Sequence, residues 1–322
     1  VVKLNTNENP YPPSARVVET LRKYDEDGLR RYPDPVHTAL RTAAGQVLGV
    51  PPEFIVAGNG SDEILAMILR AFLDPGERVA YPYPTYSLYP TLARMHGGQI
   101  AECPAPLGGP KVEAVLKVDA KITFIASPNS PDGAAVPASE IQRLCAARAG
   151  KGIVVADEAY VDFSEGGVTG LVQDFDNLIV TRTLSKSYSL AGLRLGIGVA
   201  NRPLIDALWA VKDSYNVGSL PQALAVAALQ DQACMRSQAD RIVKTREETS
   251  VALQRLGWRV YPSQANFIFA EPSDGNAAEI YQRLAERQIF VRYFNYPPLD
   301  RGLRISIGSD DHMRRFLDAL GG

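Results

Sequence analysis

The sequence predicts an α/β fold with a mostly parallel sheet flanked by helices, followed by a smaller α+β domain. Three observations lead there. Between about residues 50 and 240, short apolar runs alternate with amphipathic stretches, as parallel strands and their crossover helices do. Each run breaks at a polar or glycine-containing turn, so the polar motifs collect at strand ends. Both ends of the 322-residue chain depart from this alternation.

Taken in order, residues 1–45 are rich in Asn, Pro, Tyr and Arg and hold at most one or two helices, which suits an N-terminal arm that also forms part of the small domain. Residues 46–240 are expected to form the large domain. Phe54-Ile55-Val56-Ala57 reads as a strand, and SDEILAMILRAFL then puts Ile64, Leu65, Ile68, Leu69 and Phe72 on one helical face. ERVAYPYPTY, KITFIASPN, GIVVADEAY and NLIVTRT carry further strand-like runs. The last leads through TRTLSKSYSLAGLRLG into another run, Leu195-Gly196-Ile197-Gly198-Val199. Residues 241–322 are expected to form the C-terminal small domain, with the charged helical stretch ADRIVKTREETSVALQRLG, then WRVYPSQANFIFAE, a helix near NAAEIYQRLAERQ, IFVRYF and LRISIG.

Composition narrows the function classes. The chain is 46% hydrophobic and 22% charged with a net charge of -2, and it has no basic block or zinc-finger spacing, so no nucleic acid is expected as a partner. No uninterrupted apolar stretch approaches a membrane span, so no membrane partner is expected either. Cys103, Cys145 and Cys234 are scattered and in no paired motif, and no signal-peptide pattern is seen, so a cytoplasmic protein is expected. His37, His96 and His312 show no ligand spacing, and no metal site is expected.

The chemistry gathers at the strand ends, where an open α/β sheet forms its crevice. Lys186 lies in TLSK after NLIVTRT. Alone it reads as a solvated loop lysine, and its neighbours must decide. GNGSDE joins a strand to a helix, so its backbone N–H groups can face an anion. A dinucleotide fingerprint would need a third glycine where Glu63 stands, and Ser61 or Asp62 capping the helix would explain the polar residues without a ligand. Asp157 ends Gly152-Ile153-Val154-Val155-Ala156, and a carboxylate buried there needs a cation or hydrogen bonds unless it merely caps the next turn. A pyridinium nitrogen would be a suitable cation. Together these parts describe a pyridoxal 5'-phosphate site: Lys186 for a Schiff base, Asp157 for the ring nitrogen, GNGSDE and TLSK with Arg194 for the phosphate, and Tyr86 over the ring.

With those residues in place, the sequence resembles the fold-type I pyridoxal-phosphate aminotransferases and, within them, the histidinol-phosphate aminotransferase family. The resemblance runs over nearly the whole chain, in LNTNENPYPPS, RYPDP, GNGSDE, PYPTYSLY, ADEAYVDF, TLSKSYSLAGLRLG, ANFI and LRISIG. It implies a seven-stranded, mostly parallel sheet in the large domain. It further implies that Lys186 binds the cofactor and shuttles a proton, with Asp157 on the ring nitrogen and Tyr160 on the ring hydroxyl. Tyr86 would stack on the ring, and Ser61, Asp62, Thr183, Ser185 and Arg194 would surround the phosphate. Tyr32 would reach the phosphate of a partner subunit, which implies a homodimer. Arg292 and Arg304 would take the substrate's anion, a phosphate or the carboxylate of glutamate or 2-oxoglutarate, with Tyr11 closing over that end. The family commonly has Asn-Pro-Thr-Gly where this chain has Ser130-Pro131-Asp132-Gly133. Ser130 therefore stands in place of an asparagine that contacts the ring hydroxyl, and Asn129 is a candidate substitute, although neighbouring residues point different ways.

The reaction implied is amino-group transfer from histidinol phosphate to 2-oxoglutarate by a ping-pong route in histidine biosynthesis. An aromatic amino-acid aminotransferase or a threonine-phosphate decarboxylase would share most of these motifs. A cofactor-binding protein without catalysis remains a third class, disfavoured by the substrate arginines and the arm.

Overall fold

Two sheets organise the computed structural model, which describes residues 1–321. The first strand, Val2–Leu4 (β1), belongs to a sheet that the other end of the chain completes. The next seven strands make the second sheet: Ile55–Gly58 (β2), Arg78–Tyr83 (β3), Gln99–Pro104 (β4), Ile122–Ala126 (β5), Ile153–Asp157 (β6), Leu178–Thr183 (β7) and Gly196–Ala200 (β8). Their order is β2-β8-β7-β6-β5-β3-β4, and only β8 runs antiparallel to its neighbours. This is the expected seven-stranded, mostly parallel α/β sheet.

Every residue of β5 and β8 is buried, because helices cover both faces and leave no polar side to the strand. The helix Gly60–Phe72 covers one face with Ile64, Leu65, Ile68 and Leu69, all buried. Each such side chain contributes about 1.5–3 kcal/mol of burial. At the sheet edge, β4 buries only Cys103, so its sequence lacks the continuous apolar run that marks the inner strands.

The remaining sheet adds Arg259–Val260 (β9), Phe267–Glu271 (β10), Ile289–Tyr293 (β11) and Leu303–Ser306 (β12), in the order β1-β11-β12-β10-β9. β1 pairs parallel with β11, Val2 opposite Ile289. The helix Gln232–Arg255, capped by the Asp231 side chain on the Cys234 N–H, packs along both regions through buried Met235, Ala239, Ile242 and Leu253. Among the described residues no helix is long and apolar enough to cross a membrane.

Candidate active site

Because β3, β5, β6 and β7 run parallel, their carboxyl ends meet at one edge, and the loops that leave them wall a cavity of roughly 550 Å³. The arm supplies Asn5, Thr6 and Asn7, and the second sheet supplies Arg292 and Arg304.

Asp157 forms the floor and is 4% exposed. One carboxylate oxygen accepts from the Tyr89 hydroxyl at 2.8 Å and the other from Thr181 Oγ1 at 3.0 Å. Both donors are neutral, so burial dominates and raises the Asp157 pKa above the ordinary carboxylate range. Tyr89 is held by a stacked contact with Phe124, ring centroids 4.6 Å apart.

Lys186 follows β7 on the same edge. Its Nζ lies 3.4 Å from the Thr6 carbonyl and 5.7 Å from the Tyr160 ring centroid. Asn9 Nδ2 donates to the Lys186 carbonyl at 3.0 Å, and Ser187 donates to Asp162, which is itself paired with Arg182. The lysine backbone is thus tied down on both sides while the ammonium faces the cavity. The Tyr160 hydroxyl accepts from Asn7 Nδ2 at 2.9 Å, and Asn7 sits in the left-handed region, φ 55°, held by Ser306 and Asn266.

At one end of the cavity are Ser61, Asp62, Thr183, Ser185 and Arg194. Thr183 Oγ1 and Ser185 Oγ are 3.0 Å apart, and Asp62 takes Arg194 at 3.1 Å and the Tyr86 hydroxyl at 3.1 Å. Asp62 therefore positions a cation and a ring. Glycine is required where these loops cross: a Cβ on Gly196 would lie 2.2 Å from the Ser61 nitrogen. The helix Gly60–Phe72 begins at this end, with Ser61 and Asp62 of its first turn on the cavity wall and the Gly60 N–H donating to the Arg194 carbonyl.

At the other end, Arg292 and Arg304 are direct partners across β11 and β12. Arg304 donates to Ser130 Oγ and to the Asn5 carbonyl, both at 3.0 Å, while its enclosed Nε has no hydrogen-bond partner among the described residues. Burial lowers the Arg304 pKa, with Arg292 adding to that shift. Like charges side by side on a sheet are unfavourable, so the pair is suited to receive an anion.

Twelve residues singled out in the sequence line this cavity: Ser61, Asp62, Tyr86, Ser130, Asp157, Tyr160, Thr183, Ser185, Lys186, Arg194, Arg292 and Arg304. Three do not. Asn129 is fully buried and turned away, bonded to Thr85, Pro84 and Asp132. The Tyr11 ring packs against the Arg241 guanidinium, 4.5 Å from centroid to Cζ. Tyr32 is 80% exposed and stacked on Tyr215. Sequence reasoning missed Asn7 and Tyr89, which orient Tyr160 and Asp157; both lay within quoted motifs, yet nothing in their spacing marks a second-layer hydrogen bond.

The donor set fits pyridoxal phosphate. A buried carboxylate with only neutral donors suits a protonated ring nitrogen, and the hydroxyls, helix N-terminus and Arg194 suit a phosphate. Residues 1–320 match the family model of class I and II aminotransferases. The chain belongs to that family of pyridoxal-phosphate-dependent transaminases, and relatives 43–45% identical to it are histidinol-phosphate aminotransferases. Histidinol-phosphate aminotransferase 1 of Trichormus variabilis is 45% identical over 321 residues, covering 99% of this chain and 91% of that one. The enzyme of Geotalea uraniireducens is 44% identical over 319 residues, covering 99% and 91%. The crystal structure of histidinol-phosphate aminotransferase from Sinorhizobium meliloti in complex with pyridoxal-5'-phosphate superposes with a TM-score of 0.93 at 27% identity, covering 99% of this chain and 90% of that one.

Proposed function

We propose that this transaminase moves the amino group of histidinol phosphate onto 2-oxoglutarate, using pyridoxal 5'-phosphate held by Lys186. The observation that carries this is the cross-strand pair Arg292 and Arg304, which faces the same cavity as Lys186 and Asp157. The identity of about 45% with histidinol-phosphate aminotransferases over 99% of the chain supports the choice of amino donor.

When bound, the cofactor supplies an electron-accepting ring. Asp157 keeps the ring nitrogen protonated, and that positive charge in turn offsets the burial that raises its pKa. Lys186 would hold the cofactor through its Nζ, and the same amine, when free, would take the proton from the substrate carbon that bears the amino group. The Tyr160 phenol, held by Asn7, would hydrogen-bond the ring hydroxyl. Ser61, Thr183, Ser185 and Arg194 hold the phosphate, Asp62 fixing the arginine. Arg304 takes the phosphate of the donor in one half-reaction and a carboxylate of 2-oxoglutarate in the other. The first product leaves before the second substrate binds, so one cavity serves both.

In the same reading, 1–45 is an arm over the site, 46–240 binds the cofactor, 241–322 carries the substrate arginines, and the protein works in the cytoplasm. The active unit is a homodimer in which the exposed Tyr32 reaches the partner copy's phosphate end. Sedimentation should give twice the mass of the 35.0 kDa chain, and Tyr32→Phe should weaken cofactor retention without dissociating it.

An absorbance spectrum of the purified protein with pyridoxal phosphate, recorded before and after donor is added, tests the reaction. The long-wavelength band of the lysine-bound cofactor should convert to that of the amine form fastest with histidinol phosphate. Faster conversion by phenylalanine would replace the substrate, carbon dioxide release from threonine phosphate would replace the reaction, and a band that no donor changes would remove catalysis.

A further inference from the structure

We propose that the buried ion pair between Lys111 and Asp132 is a positioning device for the arginine end of the cavity, acting through Ser130. The inference rests on the reading of Arg304 as a substrate-anion arginine.

The pair is almost completely enclosed, with side chains 1% and 0% exposed and 2.7 Å between the charged atoms. Asp132 uses both oxygens fully. One accepts from Lys111 Nζ at 2.7 Å and from the Gly108 N–H at 2.9 Å. The other accepts from Asn129 Nδ2 at 2.7 Å and from the Ala134 N–H at 3.4 Å. Lys111 Nζ also donates to the Pro106 carbonyl at 2.8 Å. Residues 105–111 are thereby clamped to residues 127–134, the turn that follows β5.

The clamp decides which side chain of the turn enters the cavity. Asn129 is drawn toward Asp132 and donates to the Pro84 carbonyl, while its own carbonyl oxygen accepts from Thr85 Oγ1 at 2.6 Å. Its backbone closes the turn, accepting from the Gly133 N–H and donating to the Ala134 carbonyl. Ser130 then presents its hydroxyl to Arg304 Nη1 at 3.0 Å. A serine hydroxyl is one bond from Cβ, so it reaches that guanidinium only if the backbone is held close. Leu107, in the clamped loop, packs in the same small apolar cluster as Phe294 and Leu299, which line the cavity beside Arg304.

Energetics argue for position over stability as the pair's role. A buried ion pair is seldom more stabilising than apolar side chains of the same volume, whereas removing one partner alone strands a charge. Without the Asp132 carboxylate, Lys111 would be a buried ammonium with only the Pro106 carbonyl as its partner. Ser130, the other departure in this turn, is the residue that the pair presents.

The test uses the holoenzyme and succinate, a dicarboxylate with no amino or keto group to react. Calorimetric Kd values, with kcat and KM for 2-oxoglutarate, are compared among wild type, Lys111→Met/Asp132→Thr, Ser130→Ala and the triple variant. The charge-free double variant avoids a stranded ion and should melt within a few degrees of wild type. It should bind succinate about tenfold more weakly, with a matching rise in KM and little change in kcat. Ser130→Ala should weaken binding similarly, and the triple variant should be no weaker than either, since effects along one line of contact do not add. A folded double variant that binds as wild type does, additive losses in the triple variant, or a double variant that fails to fold would each overturn the inference. Wild type that transaminates yet does not bind succinate would remove the anion role of Arg304 and this inference with it.

Discussion

The two ends of the cavity are built on different principles. The Arg194 end, proposed for the cofactor phosphate, comes from loops of a single sheet and is satisfied internally: Arg194, with a side chain 50% exposed, already has Asp62 at 3.1 Å. The arginine end is a joint. Arg292 and Arg304 stand on one sheet, the groups that hold Arg304 come from the other sheet and the arm, and its Nε has no partner among the described residues. The first end suits a resident group that arrives once. The second retains hydrogen-bonding capacity that successive substrates can use in turn.

Asp157, between the ends, carries the largest expected effect. Asp157→Asn should lower kcat by about 10³-fold, the scale of losing an electrostatic partner in an enclosed site. Stability should move the other way. Burial raises the folded pKa of Asp157 above its unfolded value, so the destabilisation is absent below the ordinary carboxylate range and grows as pH rises through the folded pKa. Asparagine cannot ionise, so the cofactor-free variant should melt no lower than wild type at pH 8 by calorimetry. A variant that melts lower and keeps its rate would mean that the carboxylate serves the fold.

Arg304 and Arg194 test the comparison directly. Arg304→Ala should raise KM for both the amino donor and 2-oxoglutarate by about 10–100-fold, the scale of a hydrogen bond to a charged group, with cofactor affinity nearly unchanged. Arg194→Ala should do the reverse, weakening cofactor binding by about tenfold with smaller effects on either KM. Steady-state kinetics at saturating cofactor and equilibrium dialysis of the cofactor separate the two. A KM rise for one substrate only would divide the anion work between Arg292 and Arg304 and break the picture of a shared joint.

The same contrast governs what the sequence made legible. Asp157, Lys186 and the GNGSDE loop could be read because each follows a recognisable apolar run, and parallel strands bring such ends to one edge. β1 could not: its three residues carry no periodic signal, and they are a strand only because Ile289 to Val291 lie beside them. β4 was hidden by its edge position. Between Asn129 and Ser130 the sequence left both candidates in view. The orientation of each depends on Lys111 and Asp132, a contact between distant segments that no local pattern announces. Tyr11 and Tyr32 were legible only by resemblance, and within one chain neither faces the cavity.

His37 provides the smallest expected effect, in a region apart from both ends. It occupies the N-cap position of the helix Thr38–Leu48 without a side-chain capping bond, is fully buried and lies 5.7 Å from the Trp209 ring. Burial, and secondarily the charge of Lys212, lowers its pKa from 6.5 to about 4. Below pH 6.5 the unfolded chain takes up a proton that the folded chain refuses, so the stability contribution is complete above 6.5 and falls as pH drops toward 4. The slope from this group approaches about 1.4 kcal/mol per pH unit within that window. Urea denaturation of wild type and His37→Leu at several pH values between 4.5 and 7.5 isolates it, because a difference in slope is independent of any difference in absolute stability. The variant should have the flatter profile, while its succinate affinity at pH 7.5 equals that of wild type. Equal slopes would mean that the ring is solvated in the folded state, and a changed affinity would mean that this helix is coupled to the arginine joint.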